Sequence, residues 1–185
     1  RFSVKENAII GTSSARRKSQ LLAFRTDIKI KELRGNVPTR INKLREGLYD
    51  AIMLAKAGVT RLEIDLSEFH VVTLDPKEFI PAPAHGVLGL QIRENDLELF
   101  KLLQQVNDRD VQKRIYIERK VLNLLDGGCQ LPLGVYCEEE YGILKTWVSQ
   151  AENAEGIPKR LYTENASAEE IIELLQAKES KRVFI

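Results

Sequence analysis

Cysteine, histidine and long apolar runs are scarce in this sequence, and each scarcity excludes a class of protein. Two cysteines among 185 residues cannot build a disulfide framework. Cys129 and Cys137 lie eight positions apart, and His70 and His85 lie fifteen apart, so neither pair has the spacing of a common metal site. No metal is therefore expected, and a reducing, cytoplasmic setting is the simplest interpretation.

Signals for membranes and export are lacking as well. No apolar run approaches the roughly 20 residues that span a bilayer, and no basic start followed by an apolar stretch indicates a signal peptide. The chain begins at Arg1 and not at Met, as expected of an excerpt or a proteolytic product of a longer chain. The composition, 43% hydrophobic and 30% charged, is that of an ordinary folded protein.

Charge is distributed unevenly, although the net charge is only +1. Residues 1–61 hold 14 Lys/Arg and 5 Asp/Glu, a net charge of +9, whereas residues 62–185 hold 14 and 22, a net charge of −8. A basic region joined to an acidic one indicates that the basic region meets something anionic. Nucleic acid, phosphate and carboxylate are the candidate ligands.

Alternating strand and helix patterns fill the first third of the chain. Residues 8–11 form a short apolar run, and N-cap residues then open a helix predicted from Ala15 to Phe24. Residues 28–33 alternate as a strand does, residues 34–38 open a second helix, and residues 51–54 read as a short buried strand. This order predicts a parallel sheet covered by helices.

Prolines 76, 81 and 83 mark a break, after which the organisation changes. The remaining predicted elements are strands at 69–74 and 86–92, helices at 97–106 and 111–125, antiparallel strands at 131–137, 143–149 and 158–162, and a helix from a capping box at Ser167 to about Gln176. In that last helix, Ile171, Leu174 and Leu175 are expected to face inward. These segments predict a small α+β unit at the end of the chain.

Two basic turns follow predicted strands and open predicted helices. They are Gly11-Thr12-Ser13-Ser14-Ala15-Arg16-Arg17 and Arg34-Gly35-Asn36-Val37-Pro38-Thr39-Arg40. Helix N-termini offer unpaired N–H groups, and guanidinium groups bind carboxylate or phosphate in a bidentate manner. Two such turns at one sheet edge favour a ligand with several negative groups. The alternative is a pair of capped helices with solvated basic residues. Arg61, after the next turn, is by itself more typical of a surface residue.

Cys129 lies on a turn between a glycine pair and Gln130-Leu131-Pro132. A turn can present a thiol to a cleft, where a thiolate is a strong nucleophile. The alternative is a small residue that fills a helix-to-strand corner, because free cysteines are usually buried and inert. Cys137 falls within a predicted strand and is expected in the core. His85 lies on an apparent hinge and could act as an acid or base, although a lone His beside Gly is more often structural.

Taken in order, several segments resemble the porphobilinogen deaminase family. The matching runs are Gly11-Thr12-Ser13-Ser14-x-Arg16-Arg17, Leu33-Arg34-Gly35-Asn36-Val37-x-Thr39-Arg40, Tyr49-Asp50-Ala51-Ile52, Leu54-Ala55-x-Ala57-Gly58, Pro81-Ala82-Pro83-x-x-Gly86, Glu118-Arg119 and Gly127-Gly128-Cys129-Gln130-x-Pro132-x-Gly134. Any one of them is weak evidence, but the ordered set is specific. It spans most of residues 9–134, and the last fifty residues match only in general character.

The resemblance implies a transferase of tetrapyrrole (heme) biosynthesis. Such enzymes condense four porphobilinogen units head to tail into hydroxymethylbilane, releasing ammonia, on a dipyrromethane primer held by a thioether to one cysteine. By position, Cys129 would hold this covalent cofactor. The carboxylates of primer and substrate would be bound by Thr12, Ser13, Ser14, Arg16, Arg17, Arg34, Gly35, Asn36, Arg40 and Arg61. The parent enzyme is expected to be a cytoplasmic monomer whose partner is porphobilinogen, without nucleic acid or membrane.

The resemblance also implies the fold class, α/β. Residues 1–80 would form a periplasmic-binding-protein-like parallel-sheet domain. Residues 81–106 would return to complete an earlier domain, and residues 107–185 would form a C-terminal α+β domain with a three-stranded antiparallel sheet and helices, carrying Cys129. His85 stands where the family usually has Gln, which is interpreted as a tolerated variation that could alter hydrogen bonding or pH response.

No counterpart of the family's first-domain region, with its catalytic aspartate, is found. No catalytic residue is therefore assigned, and the chain by itself is expected to be inactive and to carry little or no primer. Two other functions stay open. A non-catalytic anion-binding module explains the arginines but leaves Cys129 without a task. A nucleic-acid-binding protein would need aromatic residues among its basic ones, and Phe24 and Tyr49 are the only aromatics between residues 8 and 61.

Overall fold

A computed structural model describes residues 3–126 and 131–177 and contains two sheets with helices around them. The elements of the first part are β1 (Ile9–Gly11), α1 (Ala15–Phe24), β2 (Lys29–Lys31), α2 (Val37–Arg45), β3 (Ala51–Ile52) and α3 (Lys56–Arg61). Those of the second part are α4 (Leu97–Gln104), α5 (Arg109–Leu124), β4 (Leu133–Glu140), β5 (Ile143–Gln150), β6 (Lys159–Glu164) and α6 (Ala168–Gln176). The α/β class expected from the sequence is confirmed.

The first sheet is parallel, with strand order β2-β1-β3. β1 is the central and most buried of the three strands. Its Ile10 packs with Leu21 of α1 and with Phe79 in one apolar core. Gly11 ends β1 where space is short, since a Cβ there would lie 2.9 Å from the Tyr49 ring. All three strands therefore end at the same edge, and the chain turns there into α1, α2 and α3.

The second sheet is antiparallel, with strand order β4-β5-β6. One face packs on α5 and α6 around a core that includes Val121, Val135, Val148 and Ile171. A capping box at Ser167 begins α6, as predicted. The inward face of α6 differs in one position from the prediction, because Ile172 is buried whereas Leu174 is 46% exposed.

A short strap, residues 77–81, joins the two sheets by bonding to both. The Gln20 side chain bonds to both backbone groups of Ile80. Its Nε2 donates to the Ile80 carbonyl at 2.9 Å, and its Oε1 accepts from the Ile80 N–H at 2.8 Å. From the second sheet, the Val135 N–H donates to the Pro81 carbonyl at 3.0 Å. A Cβ at Gly134 would lie 2.7 Å from the Ile80 oxygen, so a residue without a side chain is needed where β4 passes the strap.

Two predicted strands are wrong. Neither residues 69–74 nor residues 86–92 form a strand, and the described part of the chain offers them no pairing partner in either sheet. Leu88 is 78% exposed and Leu90 is 66% exposed. Apolar β-type residues indicate a strand only where a neighbouring strand supplies hydrogen bonds and cover.

The two helices predicted near residues 97–106 and 111–125 are confirmed as α4 and α5, with slightly shifted ends. Leu124 is the last residue of α5, and the glycines expected to end it, Gly127 and Gly128, lie outside the described residues. Among the helices described, none combines the length and the apolar character needed to cross a membrane.

Candidate anion-binding site

Hydroxyl groups build the turn that leads from β1 into α1. Ser14 is the N-cap of α1 and accepts a hydrogen bond from the Arg17 N–H at 3.4 Å, while Thr12 accepts one from Ser14 N–H at 3.2 Å. The Ser13 hydroxyl donates to the Leu33 carbonyl at 2.9 Å and accepts from the Leu33 N–H at 3.1 Å. These bonds tie the end of β1 to the segment after β2 and hold the N-terminus of α1 in a fixed position.

A glycine and an asparagine build the corresponding turn before α2. Asn36 is the N-cap, and its side chain accepts from the Thr39 N–H at 2.9 Å and from the Thr39 hydroxyl at 2.7 Å. Gly35 has φ +120°, a conformation that favours glycine, and its carbonyl accepts from Arg40 Nε at 2.7 Å. This hydrogen bond holds the Arg40 side chain beside the N-terminus of α2.

Arg16 and Arg17 lie at the start of α1 and differ in their surroundings. Arg16 is 8% exposed and donates from Nη1 to the Ile80 carbonyl at 2.6 Å. Burial, followed by the charge of Arg17, lowers the pKa of Arg16 to about 10. Arg17 is half-buried and donates from Nη1 to the Met53 carbonyl, which follows β3, at 3.0 Å. Arg16 is therefore fixed to the strap, and Arg17 bridges the turns after β1 and β3.

The two basic turns meet at the arginines. The hydrogen bonds between Ser13 and Leu33 hold the two turns side by side, and burial, followed by the charge of Arg40, lowers the pKa of Arg17. Arg16, Arg17 and Arg40 form what we call the arginine cluster. Like charges held together in a partly buried position repel one another, and a bound anion relieves that repulsion. The helix N-termini of α1 and α2 add partial positive charge at the same edge.

Arg34 and Arg61, two other residues of the predicted site, are not drawn into this cluster. Arg34 is exposed and pairs with the Glu32 carboxylate at 2.7 Å. Arg61 is exposed and is the last residue of α3. It therefore lies about one and a half helical turns from the sheet edge at which α3 begins. The other predicted residues lie in the turns and first helical residues at this edge of the sheet; they are Thr12, Ser13, Ser14, Arg16, Arg17, Gly35, Asn36 and Arg40.

Two positioning residues were missed by the sequence interpretation. Gln20 is fully buried and, with Arg16, binds the Ile80 carbonyl. Glu118 is 6% exposed and accepts from the backbone N–H groups of Cys137 at 2.8 Å and of Ala84 at 2.6 Å. The signal for Gln20 in the sequence was its position, four residues after Arg16 and so on the same face of the helix. Glu118 was noted within a motif, but nothing local indicated its burial.

Of the two cysteines, Cys137 is the one among the residues that the structure describes. Cys137 is confirmed as a core residue, 2% exposed, and burial raises the pKa of its thiol to about 12. Cys129 lies outside the described residues.

The fold and the cluster define a class of protein: an α/β protein with an arginine-rich site at the carboxyl edge of a parallel sheet. The family model described as "Porphobilinogen deaminase, dipyromethane cofactor binding domain" matches residues 2–101. This match covers more than half of the chain, and the chain belongs to the porphobilinogen deaminase family. The cofactor in that description is the one that the sequence resemblance implied.

Curated relatives agree with the family match. Proteins named porphobilinogen deaminase from Bacillus thuringiensis (strain Al Hakam) and Oceanobacillus iheyensis are 46% and 45% identical to this chain over 131 residues, 71% of its length. The protein of that name from Maridesulfovibrio salexigens is 43% identical over 133 residues, 72% of the chain. The match covers 42% of the length of each of these relatives.

Proposed function

We propose that this chain is part of a transferase that condenses four porphobilinogen units into hydroxymethylbilane and releases ammonia. The family match and the three named relatives support this activity. The observation that carries the proposal is the arginine cluster over the N-termini of α1 and α2. Each pyrrole of the growing chain bears an acetate and a propionate, and a dense row of carboxylates needs several fixed cations.

Within the site, Arg17 and Arg40 are the residues we propose as direct carboxylate ligands. Arg16 contributes charge from its buried position and keeps the strap against α1 through Ile80. The hydroxyls of residues 12–14 and the turn at Gly35 and Asn36 hold both helix N-termini in place. Arg34 and Arg61, which are set apart from the cluster, are proposed to contact carboxylates of a longer bound chain.

Cys129 is proposed as the thioether anchor of the dipyrromethane cofactor. When bound, this group supplies the pyrrole carbon to which the first substrate unit is joined. Of the two thiols, Cys137 does not suit the role, because it is buried and its raised pKa keeps it protonated. Its Sγ lies 3.3 Å from the Thr146 hydroxyl inside the core. A sequence with only two cysteines also suits a reducing, cytoplasmic compartment.

We further propose the domain organisation that the resemblance implies. Residues 1–80 would be the periplasmic-binding-protein-like domain, residues 81–106 a segment that completes another domain, and residues 107–185 the C-terminal domain. The exposure of Leu88, Leu90 and α4 supports the middle assignment, because such a surface is normally covered in a folded enzyme. The intact parent would act as a monomer on porphobilinogen.

Binding of porphobilinogen to the protein tests the site. We expect Arg17→Met and Arg40→Met each to weaken binding by about tenfold or more, because each removes a charge-assisted hydrogen bond from a partly desolvated position. Arg45→Met is the matched control, since Arg45 pairs with Glu68 on the outer surface. Equal binding by all three variants would contradict the assignment. Calorimetry at fixed ionic strength is the suitable measurement.

Intact mass distinguishes the proposed enzyme from its main alternative, an anion-binding module without catalysis. We expect co-expression with the remaining family sequence to yield a chain heavier by a dipyrromethane, and Cys129→Ser to abolish the added mass while Cys137→Ser retains it. The alternative predicts unmodified chains throughout, with ligand binding unaffected by Cys129→Ser. Formation of hydroxymethylbilane from porphobilinogen, followed by absorbance after cyclisation and oxidation, then tests turnover.

A further inference from the structure

Lys43 lies almost two turns inside α2, but its ammonium group reaches back to the turn before that helix. Its Nζ donates to the Arg34 carbonyl at 3.0 Å. Arg40, three residues earlier, donates from Nε to the Gly35 carbonyl at 2.7 Å. Because residues three apart lie on the same face of a helix, the two side chains run to carbonyl oxygens of consecutive residues. Lys43 therefore brings another positive charge to the sheet edge at which Arg40 lies.

Counter-ions distinguish these two cations from their basic neighbours. Arg34 and Arg45 flank them in the sequence, and each pairs with a glutamate. In the part of the chain that the structure describes, no carboxylate pairs with Arg40 or Lys43. Both are partly buried, where an unpaired charge is less well solvated than in bulk water. A carbonyl oxygen takes one N–H of each group without neutralising it, so each group keeps further N–H donors for an anion.

We propose that Lys43 is a carboxylate ligand of the porphobilinogen site, and that Lys43 and Arg40 together bind the two carboxylates of one pyrrole unit. This inference rests on the proposed function and deepens it, because it adds a specificity-determining residue to the set that the resemblance implied. The acetate and the propionate stand on neighbouring carbons of the pyrrole ring. Two cations on one helix face, with Cβ atoms roughly 5–6 Å apart, suit such a pair.

The two cations differ in how they bind a carboxylate. The Arg40 guanidinium binds in a bidentate manner and fixes the orientation of its partner, whereas the Lys43 ammonium acts as a point charge on a flexible stem. A pyrrole unit with one carboxylate would leave one of the two cations unpaired in the complex. The pair therefore favours units that carry two acidic side chains over units that carry one.

Calorimetry with porphobilinogen and with its two monoamides, each of which lacks one carboxylate, tests this assignment. Lys43→Met removes the charge and nearly keeps the length of the side chain, and Lys43→Arg keeps the charge. Lys29→Met is the matched control, because Lys29 is an exposed lysine at the start of β2, the end opposite to the site. Urea denaturation of each variant verifies that it is folded.

We expect Lys43→Met to weaken porphobilinogen binding by about threefold to tenfold, because one charge-assisted hydrogen bond is lost from a partly buried position. Lys43→Arg should restore most of the affinity, and Lys29→Met should bind as the unaltered protein does. Lys43→Met should weaken binding of one monoamide by a similar factor and leave the other unchanged, since Lys43 contacts a single carboxylate.

A structural role alone would weaken binding of all three ligands equally in Lys43→Met, and that result would overturn the inference. Full affinity in Lys43→Met, or equal weakness in Lys43→Arg, would overturn it as well. The proposed function would stand in each of these cases if Arg17→Met still weakens binding of porphobilinogen. Absence of porphobilinogen binding by the unaltered protein would overturn both.

Discussion

Glu118 is a buried carboxylate whose two oxygens serve different parts of the chain. One accepts from Cys137 in β4, and the other accepts from Ala84 in the turn that carries His85. A carboxylate can accept at both oxygens, whereas an amide has one oxygen and an N–H₂ group that donates. The residue type is therefore set by the need for two acceptors and not by a need for charge.

Replacement of Glu118 by Gln tests this interpretation. We expect E118Q to lower the free energy of unfolding by about 1–3 kcal/mol, because one buried backbone N–H loses its acceptor. Urea denaturation provides the measurement. The matched control is E169Q, which removes an exposed ion pair with Lys120 and should cost at most about 1 kcal/mol. An E118Q protein as stable as the unaltered one would refute the two-acceptor role.

The difference in the free energy of unfolding between the unaltered protein and E118Q should change with pH in a defined direction. Burial raises the pKa of Glu118 above its ordinary value of 4.5, despite its two hydrogen bonds. The folded state then holds the proton more tightly than the unfolded state, so this contribution to stability is full below about 4.5 and is lost as the pH rises through the raised pKa. E118Q lacks this titration, so the difference between the two proteins should narrow over that window.

At the level of elements, the segment from residue 86 to α4 is apolar but uncovered. Leu97, Phe100 and Leu102 are each more than half exposed, as are Leu88 and Leu90. We expect the double change of Leu88 and Leu90 to Ser to alter the free energy of unfolding by no more than about 0.5 kcal/mol, because little apolar area is lost from the core. Binding of a dye that fluoresces on apolar surfaces should fall.

Leu33→Ala is the contrasting control, since Leu33 is fully buried and its truncation should cost about 2–5 kcal/mol. A large loss of stability in the Leu88/Leu90 variant would show that the segment is packed in solution. If the proposed first domain covers this segment in the longer protein, the same double change should become strongly destabilising there.

Elements with local signals could be predicted from the sequence. Ser14 and Asn36 are N-caps that determine where α1 and α2 begin, and the capping box at Ser167 does the same for α6. Predictions that needed a distant partner were wrong or incomplete. Residues 69–74 and 86–92 have strand-like composition without a strand beside them in the described part of the chain. Side-chain direction at an exposed turn is not encoded by spacing alone.

At the scale of the whole molecule, the strap makes the two sheets depend on each other. Gln20 is fully buried and is bonded to both backbone groups of Ile80. We expect Gln20→Met to cost about 1–3 kcal/mol, because the Ile80 N–H is left without its acceptor. We also expect the two parts to unfold less cooperatively, since the bond belongs to their shared segment.

Two probes distinguish the parts in that experiment. Trp147 is the single tryptophan and lies in β5, so its fluorescence follows the antiparallel sheet, whereas amide exchange in α1 follows the parallel one. Gln104→Met, at the exposed end of α4, is the matched control. If both probes report the same unfolding transition for Gln20→Met, and its free energy of unfolding equals that of the unaltered protein, the strap does not couple the two sheets.

The tight passage at Gly134 has a consequence for natural variation in this gene. Any missense change at that codon inserts at least a methyl group 2.7 Å from the Ile80 oxygen, the same oxygen that Arg16 and Gln20 bind. The added group would overlap the Ile80 carbonyl and force the strap or β4 to shift. A substitution more than a hundred residues from Arg16 in sequence would thus disturb the hydrogen bond that fixes this buried arginine.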